Sequence, residues 1–219
     1  MNSFITTVEE IIFSQARGYY KIQPLLNKFR RPLIPNSIYK SQKKLNLGSS
    51  VSSIPGYLNV DALEERNPDI VCDIRELKFA EDNIYDLVRA SHVLEHFSLE
   101  EIPAILSEWR RVIKVGGYFV VCVPNYLALS WRAILNPSGF NLDQKTYQNG
   151  WINGLYALDL PPEYRHKIVF TYQSLSKVLN ENGFKVIGKQ HFRVEEPYTL
   201  GITDNSCNNL SLNVVAQKI

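Results

Sequence analysis

No apolar run in these 219 residues approaches the roughly 18 needed to span a bilayer as a helix, so a transmembrane segment is not expected. The opening MNSFITTVEEIIF carries acids where a signal peptide would be basic, which argues against secretion. Cysteine is scarce: Cys72, Cys122 and Cys207 stand far apart with no CxxC pair. Cys72 and Cys122 fall inside apolar runs and read as small buried hydrophobes, and a reducing, cytoplasmic setting follows. A GxGxxG fingerprint is missing, which speaks against a nicotinamide oxidoreductase. The formal net charge is only +2, and no nucleic-acid recognition motif accompanies it, so nucleic acid is not an expected partner.

What is present is an ordinary globular composition, 45% hydrophobic and 21% charged, in a chain long enough for one domain with elaborations. Residues 1–43 read as an N-terminal helical basic arm. Phe4, Ile5, Val8, Ile11 and Ile12 recur at helical spacing, predicting an amphipathic helix over 3–16. Residues 17–44 then hold Arg17, Lys21, Lys28, Arg30, Arg31, Lys40, Lys43 and Lys44 with no acid among them. Pro24, Pro32 and Pro35 interrupt the run, so a continuous basic helix is not expected. A solvated arm packed on the domain is the plain reading. Peripheral contact with phosphates or an anionic membrane surface is the alternative.

From Lys44 onward the pattern is α/β, and residues 44–219 form the main domain. KLNL (44–47), YLNVD (57–61), DIVCD (69–73), IYDLVRAS (84–91) and YFVVCVP (118–124) read as strands. Only nine residues, 48–56, separate the first two, too few for a full crossover helix. Ser98 and Glu101 have capping-box spacing ahead of a helix whose apolar face is Leu99, Ile102, Ile105, Leu106, Trp109, Val112 and Ile113. Gly116-Gly117 is expected to close that connection before the next strand. Residues 124–170 hold four prolines and eight aromatics, and such a length should contain helices of its own. A helix from Tyr172 to Asn182, a strand FKVIG and a strand SLNVVAQ (211–217) complete the series.

Chemistry-bearing residues gather where the strands end, which is where ligands bind in open parallel sheets. The stretches LNLGSS (45–50), GYLNVD (56–61) and SHVLEH (91–96), with VPN at 123–125, carry them. Read alone, HxxEH matches a zinc-peptidase pattern, but a strand-like run rather than a long helix leads into it. The set closely resembles class I S-adenosylmethionine-dependent methyltransferases, in particular small methyltransferases of surface-polysaccharide pathways with LNLGSG, GWxNVD and SHVLEH motifs. That resemblance implies a Rossmann-like fold, a mostly parallel sheet with helices on both faces. Here it would carry the arm and an aromatic-rich cap at 124–170 covering the acceptor site.

The resemblance also implies roles. Leu47, Gly48 and Ser49 form the cofactor loop, here with one glycine where relatives have two or three. Asp61 accepts hydrogen bonds from the ribose hydroxyls, unless it is only a turn or cap residue. Asp73 holds the adenine amino group, with Ile74 against the ring, and Ser91 and His92 border the methionine part. The similar stretch in ubiquinone-pathway O-methyltransferases helps bind a divalent metal, so His92, Glu95 and His96 could do the same. The alternative is that His96 bonds the backbone and stabilises a turn. Asn125 stands where relatives often carry aspartate, and it cannot act as a base. His166, or else His96, is then the candidate base, since imidazole titrates near neutrality. An exposed loop histidine is the competing reading of His166. The expected activity is O-methylation of a sugar hydroxyl of a glycan. Methylation of another small metabolite, or a non-catalytic binding role for the fold, are the rivals.

Overall fold

Alternating strand and helix periods build a seven-stranded sheet in the order β3-β2-β1-β4-β5-β7-β6. The strands are β1 (Lys44–Leu47), β2 (Leu58–Asp61), β3 (Ile70–Val71), β4 (Tyr85–Ser91), β5 (Ile113–Pro124), β6 (Phe184–Lys189) and β7 (Ser211–Lys218). The first five run parallel, and β7 lies antiparallel between β5 and β6. The structure is a computed structural model and describes residues 32–50, 53–135, 157, 161–190 and 211–219. The expected helix at 3–16, most of the basic run and Cys207 lie outside the described residues.

The chain leaves β1 for β2 and β3 on one side, then returns to β4 on the other. That reversal puts the topological switch point between the ends of β1 and β4. One face of the sheet packs on α2 (Ile102–Val112) and α4 (Tyr172–Glu181), which follow α1 (Asn36–Tyr39) and α3 (Tyr126–Leu135) respectively among the described helices. Ile102, Ile105, Leu106, Trp109 and Val112 of α2 meet Val88, Ala90, Phe119 and Val121 of the sheet. Trp109 is fully buried, and its indole N–H donates to the Ile74 carbonyl at 2.8 Å. The opposite face presents Leu87, Val120 and Val215, alternating with the first set as the two-residue strand period requires. Ile34, Ile54 and Tyr57 cover it, so the described end of the arm packs on the domain.

Several boundaries differ from expectation. β3 is only Ile70–Val71, so Cys72 falls beyond it, half-buried, with its Sγ against the carbonyls of Asp73 and Glu76. It is not the buried hydrophobe expected; Cys122, inside β5, is. Gly116-Gly117 lies within β5 rather than before it. There the pairing slips against β4, and a Cβ on Gly117 would crowd the Lys114 and Tyr85 carbonyls, so the pair forms a bulge. The helix begins at Ile102, and the Glu101 carboxylate accepts from the Ser98 N–H at 2.8 Å, one half of the expected capping box.

No helix occurs among the described residues between β1 and β2; a buried amide closes the turn instead. The Asn59 side chain accepts from Ile54 N–H (2.8 Å) and Asn46 Nδ2 (3.1 Å), and donates to Asp69 (2.9 Å) and the Tyr57 carbonyl (3.1 Å). Every polar atom of that side chain is satisfied, which is what makes its burial tolerable. At the other end of the turn, Gly48 has φ +62°, and a Cβ there would overlap the Val93 Cγ2 methyl.

Gly48→Ala should therefore destabilise the domain by about 2–4 kcal/mol, from left-handed backbone strain plus steric overlap. Val93→Ala in the same chain should recover part of that loss, and urea unfolding of the four variants in the cycle measures it. Strictly additive losses would mean that the two strand ends do not press on each other.

Candidate active site

Four strand ends converge at the switch point. Ser49 follows Gly48 with its N–H on the Val60 carbonyl (3.0 Å), and its buried hydroxyl has no hydrogen-bond partner among the described residues. Ser50 adopts φ +48° and donates its N–H to Asp61 Oδ2 at 2.8 Å, while Leu63 N–H donates to Asp61 Oδ1 at 3.0 Å. Asp61 thus holds the loop after β1 to the end of β2, and each oxygen keeps lone pairs for further donors. Its turn role and a ligand role are compatible. Leu47 is fully buried, because β1 is packed on both faces, so only its main chain can face a ligand.

Asp73 lies two residues past β3, half-exposed, in a fork with Arg75 whose contacts are 2.6–3.0 Å. That guanidinium hydrogen bond is the main cause holding the Asp73 carboxyl below its usual range. Ile74 keeps only 9% of its surface exposed; its side chain belongs mostly to the core, leaving an edge for a ring to touch.

The end of β4 is organised by a carboxylate that sequence reading treated only as a metal ligand. Glu95, in the 3₁₀ turn Leu94–His96, has no exposed surface. Its Oε1 lies 3.0 Å from His92 Nδ1 and 3.8 Å from His166 Nε2. The His96 and His166 rings pack edge to face at 4.9 Å. Burial works against the charged carboxylate, but hydrogen bonding to His92 and the nearness of all three histidines hold its pKa below the usual value. For His92, burial likewise disfavours the cation. The Cys122 sulfur and the Glu95 carboxylate outweigh it, keeping the ring's pKa well above 6.5. His92 Nδ1 lies 3.0 Å from Glu95 Oε1 and its Nε2 lies 2.8 Å from Ser211 Oγ, so both ring nitrogens are engaged. The residue holds this position at φ +55°, a strained conformation for a residue with a side chain.

This corrects the set His92, Glu95 and His96 as metal ligands, since both nitrogens of His92 are engaged. The metal-competent group is Glu95, His96 and His166, the one such cluster among the described residues. His166 is 10% exposed in its side chain, so it is not an exposed loop histidine. Its neighbour Lys167 donates its N–H to the Glu95 carbonyl at 2.8 Å. Ser91 lies buried beside the loop at the end of β4, since Leu47 pairs with Ala90. Asn125 is buried and caps α3 through Ala128 N–H (3.2 Å), a structural use of a position unable to act as a base. Asn125 also pairs with Phe170, so the segment between them leaves and rejoins the domain at one point. It contains helix α3, as its length required. Residues 136–156 and 158–160 of the aromatic-rich stretch lie outside the described residues.

Residues 53–121 match a family model described as a methyltransferase domain. No curated protein sequence matches the chain. Solved structures are similar across nearly the whole length. A protein from Pyrococcus horikoshii is 17% identical with a TM-score of 0.53, covering 96% of each chain. An S-adenosylmethionine-dependent methyltransferase from Methanosarcina mazei is 18% identical with a TM-score of 0.54, covering 86% of this chain and 99% of its own. One from Archaeoglobus fulgidus is 17% identical with a TM-score of 0.54, covering 98% and 99%. Strand order, switch-point loop and domain match agree. The chain has the Rossmann-like class I methyltransferase fold, and the domain match over residues 53–121 supports a methyltransferase.

Proposed function

We propose that this protein transfers the methyl group of S-adenosylmethionine to a sugar hydroxyl of a glycan, in the cytoplasm. The meeting of His96 and His166 around Glu95 is the observation that carries an oxygen acceptor, because a hydroxyl must lose a proton as it is methylated. The glycan class follows from the SHVLEH-type motifs and from aromatic faces in 124–170 that suit sugar rings. The basic composition of residues 17–44 suits phosphates or an anionic membrane surface, and nucleic acid is not an expected acceptor.

On this reading the cofactor rests against the Leu47–Ser49 loop. The features that fit it are the close approach allowed at Gly48, the orphaned buried Ser49 hydroxyl and the remaining lone pairs of Asp61. Asp61 accepts from the ribose hydroxyls, Asp73 from the adenine amino group, and the edge of Ile74 meets the ring. Ser91 and the main chain of His92 border the methionine part. When bound, the cofactor supplies a methyl group already activated on a sulfonium. The protein's work is alignment and exclusion of water. The acceptor oxygen takes the methyl as the S–C bond breaks. In the metal-free protein its proton passes to a ring nitrogen of His166 or His96, leaving a methyl ether and S-adenosylhomocysteine. A divalent cation at the same cluster is the second way to ease that ionisation.

Calorimetry should find one cofactor bound per chain, weakened in Asp61→Ala by about 1.5–3 kcal/mol, the scale of hydrogen bonds to a charged group. Unchanged affinity in the folded variant would remove Asp61 from the site. His166→Ala should lower turnover by roughly 10²- to 10⁴-fold with cofactor affinity intact, measured as methyl transfer to a panel of glycan acceptors. Full activity in both His166→Ala and His96→Ala would show that neither histidine serves the hydroxyl.

A further inference from the structure

We propose that Glu95, His96 and His166 form a binding site for one divalent first-row transition-metal cation such as Zn²⁺, Mn²⁺ or Co²⁺. One ligand atom from each residue lies within 4.8 Å of the others. Metal bonds to nitrogen and oxygen run about 2.0–2.2 Å, so two ligands of one ion are at most about 4.4 Å apart. Small side-chain rotations therefore close the cluster on a cation without backbone movement.

Two of the atoms point to a missing partner. Glu95 Oε2 and His96 Nδ1 are both buried, and neither has a hydrogen-bond partner among the described residues. Leaving such atoms unsatisfied is costly, and a carboxylate with no exposed surface is the more expensive of the two. A cation held by the cluster would supply the buried carboxylate with the partner its Oε2 lacks.

The donor set selects the ion class. Two imidazoles and one carboxylate suit borderline transition metals, whereas Mg²⁺ and Ca²⁺ prefer all-oxygen shells. His92 completes the arrangement from outside. It holds Glu95 Oε1 through Nδ1 and is itself fixed by Ser211, as outer-shell partners of metal ligands usually are. The three ligands come from two places, the turn after β4 and the rejoining end of the aromatic segment. A bound cation would therefore clamp that segment to the sheet. With a cation bound, His166 and His96 would serve as its ligands rather than as bases. The inference rests on the cluster and not on the methyl acceptor, so it stands or falls apart from the glycan reading.

The test uses the full chain, stripped with a chelator and desalted, then titrated with Co²⁺ while its visible absorption is followed. One equivalent should bind, Zn²⁺ should displace it, and Mg²⁺ should not. His96→Ala and His166→Ala should each weaken Co²⁺ binding more than about 100-fold, beyond the roughly 10- to 100-fold loss seen for outer-shell changes. S-Adenosylhomocysteine binding reports whether each variant is folded. In the unmutated chain, Zn²⁺ should shift the ring resonances of two of the four histidines, which needs no variant. No Co²⁺ binding by the unmutated chain would overturn the proposal. So would binding that leaves the His96 and His166 resonances unmoved, or that persists undiminished in both folded variants.

Discussion

A carboxylate without any exposed surface is the constraint on which the centre of this molecule depends. Stripping Glu95 of water would be prohibitive for an isolated charge, and even after relaxation the penalty in a protein is several kcal/mol. The His92 ring nitrogen hydrogen-bonded at 3.0 Å compensates it directly, with His96 and His166 arranged around the same group. Breaking such a pair by removing one member strands the other, so each residue of the group constrains the rest. Glu95 acts through its backbone as well, because its carbonyl takes the Lys167 N–H. The turn after β4, the start of β7 and the rejoining end of the aromatic segment are thus tied to one residue.

That tie explains why strain is tolerated nearby. His92 has a left-handed backbone, an expense of order 1–3 kcal/mol that only a well-determined surrounding maintains. Both ring nitrogens and the backbone N–H, which bonds the Cys122 carbonyl at 2.8 Å, hold it in place. Across the switch point Gly48 takes a similar conformation with no side chain, because Val93 fills the space a Cβ would need. One strained position is fixed by polar partners and the other by contact. Together they shape the ends of β4 and β1.

The strands were legible because buried parallel strands are apolar runs, and five of them could be read off in order. The edges were less so. β3 pairs on one side only, and its pairing ends after two residues, which left Cys72 outside the strand and Asp73 in a turn. Gly116-Gly117 resembles a helix stop, yet the slip against Tyr85–Leu87 makes it a bulge, a distinction that depends on a partner strand. Asp61 was placed correctly at a strand end. The cluster around Glu95 was not legible: His166 is seventy residues from His96, and nothing local brings them together. HxxEH names three of its members but assigns His92 to the wrong task, because Ser211, over a hundred residues away, occupies its second nitrogen.

The arrangement also divides the labour of the proposed reaction along the topology. Strands on one side of the switch point, β1 to β3, carry Gly48, Asp61 and Asp73, the groups assigned to the cofactor. The other side carries β4, β5 and the inserted segment, with the histidines assigned to the acceptor. Methyl transfer requires the two ligands to meet in line, so the border between these halves sets the reacting distance. Ser91 and His92 form that border, and His92 is anchored by Glu95 rather than left to contact ligand with its ring. A change at Glu95 would therefore reach both halves at once. A change at Asp61 would stay on its own side.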